Sequence, residues 1–151
     1  MQETVWNDIR RRSALGWALL TMALAFFTLV LIRTAWLCDD AYISFRTVDN
    51  FVNGYGLTWN VTERVQAYTH PLWMFLISAV YFFTGEIFLT AIVVSIVVST
   101  LAVAIIVYAP GRSTILALLA ILILIFSRAF VDYSTSGLEN PLTHLLMAVF
   151  L

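Results

Sequence analysis

An unbroken apolar run, Ala14–Ile32, preceded by Arg10-Arg11-Arg12, constrains this chain more than any other feature. At 1.5 Å per residue, a helix over that run is roughly 28 Å long, close to the ~30 Å hydrocarbon layer of a bilayer. It reads as a first membrane span, continuing to about Leu37. The run exceeds the ~7–15 residues of a signal-peptide core. No small-x-small cleavage site follows it, because Trp36 and Leu37 stand there. The arginines ahead of the run set the N-terminus in the cytoplasm. The whole sequence is 62% hydrophobic and 11% charged, against about 25% charged in soluble domains. A net charge of −1 with no basic patch gives no support to a nucleic-acid partner. Cys38 has no second cysteine to bond and no ligand cluster around it, so it reads as structural.

Residues 38–70 form a polar loop, placed outside by that orientation. Ala41, Tyr42, Phe45, Val48, Phe51 and Val52 recur at helical spacing. This predicts an amphipathic helix on the membrane surface, apolar face down. Asp39 or Asp40 is expected to cap its start and Gly54 to stop it. Pro71–Phe83 is apolar but covers only roughly 20 Å, too little for an ordinary span. It reads either as a short span or as an interfacial or re-entrant helix. Ile87–Ala109 is a clear span, Thr114–Val131, interrupted by Arg128, is expected to be another, and Pro141–Leu151 opens a further apolar helix. If Pro71–Phe83 does not cross, Arg112 falls on the cytoplasmic side, as the positive-inside rule favours. The loops 38–70 and 132–140 then share the outer face. The final apolar segment is short for a span, so the chain is expected to be the front of a longer protein.

Polar residues concentrate in these two loops. Asp39-Asp40 sits where the first span leaves the membrane. One helix cap needs one side chain, so the second aspartate invites a chemical role. A carboxylate beside low dielectric makes a better base, and a pair of carboxylates is a candidate site for a divalent metal. Arg46, Glu63, Arg64, Tyr68 and His70 crowd the same loop as Trp59, Tyr55 and Trp73. Such a mixture suits a membrane interface, sugar stacking or phosphate contacts, and equally a plain solvated loop. Asn60-Val61-Thr62 matches the glycosylation pattern, a weak signal on its own. In Ser134-Thr135-Ser136-Gly137-Leu138-Glu139-Asn140-Pro141, Asn140 is expected to cap a helix with Pro141 in its first position. Glu139 would then face the first loop.

Three stretches carry a family resemblance. They are Asp39-Asp40-Ala41-Tyr42-Ile43-Ser44-Phe45-Arg46, then Asn53-Gly54-Tyr55-Gly56-Leu57-Thr58-Trp59-Asn60, then Glu63-Arg64 through Tyr68-Thr69-His70-Pro71-Leu72-Trp73. Together they resemble the first extracytoplasmic loop of bacterial GT-C glycosyltransferases. They are most similar to the actinobacterial arabinofuranosyltransferase group, which uses a decaprenyl-phosphate sugar. Ser136-Gly137-Leu138-Glu139 with Pro141-Leu142 resembles that group's second-loop motif. Relatives carry Pro-Gly before the Glu-Arg pair, where this chain has Val61-Thr62.

The resemblance implies an all-α, multi-pass protein of a bacterial inner membrane. It implies a polyprenyl-phosphate sugar donor and a glycan or lipid acceptor. It assigns Asp40 and Asp39 as base or metal ligands, Glu139 as the second acid, and Arg46, Arg64, Tyr68 and His70 as donor or acceptor contacts. Glu63 and Trp59 join these as substrate-binding candidates. Two other classes are a transporter fragment and a non-catalytic membrane assembly subunit. The first calls for ionisable or broken-helix features at mid-membrane, and the central spans carry none.

Overall fold

The computed structural model describes residues 12–63, 65, 67–111 and 113–151. Arg10, Arg11, Arg64 and Arg112 lie outside these, and with them the calls made on those arginines. The described residues are all-helical, with no strand. Helix α1 spans Ala14–Thr34, α2 Asp39–Val52, α3 Pro71–Thr84, α4 Ile87–Tyr108, α5 Thr114–Phe126, α6 Arg128–Tyr133 and α7 Asn140–Phe150. Two of them, α1 and α4, are long and apolar enough to cross a membrane.

Local chemistry sets most helix ends. Ser13 Oγ accepts from Gly16 N at 3.1 Å and Glu86 Oε2 from Leu89 N at 2.9 Å, which satisfies first-turn donors of α1 and α4. At the end of α2, Gly54 N donates to Phe51 O (3.2 Å) and Tyr55 N to Asn50 O (2.8 Å). This is a Schellman closure, and it needs Gly54 at φ 83°. The expected stop at Gly54 is therefore present. Other boundaries differ. The cap residue of α2 is Cys38, not Asp39 or Asp40, and it makes no side-chain cap bond. Both aspartates occupy the first turn instead, where the helix dipole favours negative charge. Likewise α7 is capped by Glu139 rather than Asn140, again without a side-chain bond.

The expected span Thr114–Val131 is broken. After the 13 residues of α5 the chain turns at Ser127, whose Oγ accepts from Phe130 N at 3.4 Å and starts α6. Ser127 competes with the helix for backbone partners, and an apolar run by itself does not reveal such a restart. The first helix also ends at Thr34, before Leu37.

Side-chain pairs fix the helix directions. Trp17 stacks on Tyr108 with ring centroids 5.6 Å apart. Thr21 Oγ1 lies 3.0 Å from Tyr108 Oη, and Thr28 Oγ1 lies 3.1 Å from Thr100 Oγ1. Helices α1 and α4 are thus antiparallel. Gly16 faces Thr114 at the start of α5, and Trp36 Nε1 donates to Asp132 O at 3.0 Å beyond the far end of α1. The α5–α6 segment therefore runs parallel to α1, and the 134–139 loop emerges beside the start of α2.

Two cores result. Leu20, Phe27 and Leu31 of α1 pack with Val103, Val107, Ala117, Ile121 and Val131. Ala41, Phe45 and Val48 of α2 pack with Trp73, Met74 and Ile77 of α3 and Ala91, Val94 and Val98 of α4. The inner face of α2 is thus covered by protein rather than laid on a lipid surface. Tyr42 and Phe51, counted in its apolar stripe, stay exposed. The sequence period identified the helix and most of the stripe. It could not say that α3 and α4 would cover it.

Candidate functional site

The spacing of α2 generates two stripes that flank its buried face. Asp40, Ile43 and Ser44 share one, and Tyr42, Arg46 and Asp49 share the other, because residues three and four apart are neighbours on a helix. Each stripe forms one wall of a cleft.

The first cleft holds about 650 Å³ and is lined by Asp40, Ile43, Ser44, Tyr68, His70 and Glu139, with Ala67, Thr69 and Leu138. Its polar groups come from three separated segments: α2, the end of the first loop, and the second loop. His70 joins them. Its Nε2 lies 3.1 Å from Ser44 Oγ, and its Nδ1 lies 3.3 Å from Glu139 Oε2. Thr69 Oγ1 also lies 3.3 Å from Nδ1. With the Nδ1 proton aimed at Glu139, Nε2 accepts the Ser44 hydroxyl proton, so one tautomer satisfies both contacts. Glu139 thus orients the imidazole, and its side chain is 40% exposed against 13% for His70.

The second loop holds this arrangement from below. Ser134, Thr135 and Ser136 are fully buried. Ser136 O accepts from Cys38 N (2.9 Å), Ser134 O from Ser99 Oγ (3.1 Å), and Gly137 O from Trp73 Nε1 (2.9 Å). Gly137 has φ 86°, and an added Cβ would lie 2.8 Å from Ala41 Cβ and 2.9 Å from Leu37 Cδ2. Only glycine fits where the second loop meets α2. Glu139 follows two residues later, so this close approach positions it at the cleft.

The second cleft, about 490 Å³, lies across Ile43 and is lined by Tyr42, Ile43, Phe45, Arg46, Asp49, Trp59 and Ile87. The Arg46 guanidinium sits 4.7 Å over the Trp59 ring. Its Nε donates to Trp59 O at 2.9 Å and its Nη2 to Asn60 Oδ1 at 3.4 Å. Asn50 Nδ2 donates to Thr58 O and Trp59 O at 2.9 and 3.1 Å, tying the 54–60 turn to α2. Asp49 Oδ1 accepts from Tyr81 Oη at 2.7 Å and from Asn53 Nδ2 at 2.9 Å. Donation to Asp49, aided by partial burial, holds the Tyr81 phenol above its ordinary value.

A comparison with known proteins supplies one relative. The chain is 33% identical over 118 residues to the terminal beta-(1->2)-arabinofuranosyltransferase of Mycobacterium tuberculosis (strain ATCC 25618 / H37Rv), covering 71% of this chain and 19% of that protein. The relationship is distant, and the chain spans about a fifth of the length of the relative it matches. No family model matches the chain, and no solved structure matches it.

The residues singled out in the sequence fall into separate groups. Asp40, Tyr68, His70 and Glu139 meet in the first cleft. Arg46 and Trp59 pair in the second. Asp39 lines neither cleft, and its Oδ1 accepts from Asp40 N at 3.1 Å. Glu63 Oε2 accepts from Asn60 Nδ2 at 3.1 Å and closes a turn. Ser44 was missed, although its four-residue spacing from Asp40 marks it as a neighbour on the same face.

The adjacent aspartates do not converge as a metal pair, because only Asp40 lines a cleft. Among the described residues no group of three or more His, Cys, Asp or Glu is arranged to hold a metal ion.

Proposed function

We propose that this chain belongs to a GT-C-type membrane glycosyltransferase working on the extracytoplasmic side of a bacterial inner membrane. It would take a sugar from a polyprenyl-phosphate donor and pass it to a glycan or lipid acceptor. The observation that carries this reading is the convergence of Asp40, His70 and Glu139 from three segments into one cleft. The distant arabinofuranosyltransferase relative supports the reaction class and favours arabinofuranose as the sugar. The antiparallel α1–α4 pair supports the sidedness. With the basic N-terminus in the cytoplasm, α1 leads outward and α4 back inward, α3 need not cross, and both loops lie outside.

Asp40 is the general base in this mechanism. It takes the proton of an acceptor hydroxyl as that oxygen attacks the anomeric carbon. The new glycosidic C–O bond forms as the C–O bond to phosphate breaks, and the bonding pair leaves with polyprenyl phosphate. One displacement inverts the anomeric centre. His70, held between Ser44 and Glu139, lines the cleft and is one candidate to contact the departing phosphate. Arg64 remains a second candidate for that charge.

General-base catalysis typically contributes about 10²–10⁴-fold. In membranes carrying the complete gene product, Asp40→Asn should lower kcat for transfer from a polyprenyl-phosphate sugar by about that factor. Normal transfer by Asp40→Asn would remove Asp40 from the reaction and the proposal with it.

A further inference from the structure

We infer that the second cleft, between α2 and the 54–60 turn, is a binding subsite for a neutral oligosaccharide, the acceptor glycan. This rests on the glycosyltransferase reading of the first cleft and assigns the neighbouring surface. Arg46 is held by its indole stack and two hydrogen bonds. Among the described residues its Nη1 makes no hydrogen bond and can donate into the cleft. Asp49 uses Oδ1 for Tyr81 and Asn53, while its Oδ2 has no hydrogen-bond partner among the described residues. The cleft therefore offers a fixed donor and a fixed acceptor. Beside them are the exposed ring of Tyr42, the partly exposed ring of Trp59, and Ile43 and Ile87.

That set selects a ligand class. A sugar ring presents hydroxyls that donate and accept, and C–H faces that pack on aromatic rings. A phosphate would meet the Asp49 carboxylate, and like charges repel. The preassembled Arg46–Trp59 pair also lowers the ordering cost of binding. Ile43 lines both clefts. A glycan lying in the second can thus extend one end over Ile43 towards Asp40.

The test measures binding by the chain in lipid nanodiscs, using tryptophan fluorescence or calorimetry. The probes are neutral pentofuranose and hexopyranose oligosaccharides, with inorganic phosphate as the charged control. Saturable binding of at least one oligosaccharide is expected, weakened tenfold or more by Tyr42→Ala, Arg46→Ala and Asp49→Asn. Arg46→Lys should recover part of it. Asp49→Asn keeps the acceptor for Tyr81, so it reads the lost charge apart from any loss of fold. Absence of oligosaccharide binding, binding indifferent to all three cleft variants, or preferential binding of phosphate would each overturn the subsite. Failure there leaves the transfer assay on Asp40→Asn to judge the catalytic reading separately.

Discussion

The loop after α1 carries its charges outward, whereas the Ser134–Glu139 loop buries its hydroxyls. Asp39, Asp40 and Arg46 are all exposed, while Ser134, Thr135 and Ser136 have no exposed surface. Read as sequence, both loops are polar clusters following apolar runs. In the fold they divide the work. The first loop presents charged groups on α2, and the second loop is a backbone bracket that holds α2, α3 and α4 together. Its carbonyls accept from Cys38, Trp73 and Ser99. Polarity alone therefore does not mark a site. A hydroxyl-rich segment can be buried because it supplies backbone partners to its neighbours.

Substitutions can break this contrast, and the largest effect is expected in the buried loop. Gly137→Ala forces a side chain into Ala41 and Leu37 at a positive φ. Overpacking and backbone strain together should cost about 3 kcal/mol, read as a lower Tm in detergent or nanodiscs. An unchanged Tm would show that the bracket is not tight. Next comes Trp73→Phe, which leaves the buried ring space largely filled but removes the bond to Gly137 O. An orphaned buried carbonyl should cost about 1–3 kcal/mol in the same melt. If the cost proves negligible, water or another donor serves that carbonyl. The smallest stability effect belongs to the first loop. Asp39→Asn gives up only a favourable position at the N-terminus of α2, about 1 kcal/mol or less. Asp40→Asn should match it in Tm while losing transfer activity. A large stability loss at either aspartate would erase the distinction between presenting and bracketing loops.

Legibility of the site followed the same division. Asp40, Tyr68, His70 and Glu139 stood out because titratable groups are conspicuous among apolar runs. Their meeting in one cleft also depends on Gly137 and Trp73, which bring the second loop against α2. Arg46 and Trp59 were singled out beside them, yet Ile43 separates their cleft from the first. Asp39 and Asp40 looked like a pair, but adjacent residues on a helix point about 100° apart, so only one faces the cleft.

The sequence by itself determined that the chain is helical and apolar enough for α1 and α4 to cross a membrane. It fixed the polar loop after α1, and it ended α2 at Gly54, because these are consequences of local composition, periodicity and one positive-φ glycine. Only the tertiary structure decided that α2 packs on α3 and α4, that Ser127 divides the 114–131 run, and that His70 bridges Ser44 and Glu139. Those outcomes depend on which distant surfaces meet, and a one-dimensional pattern leaves that open.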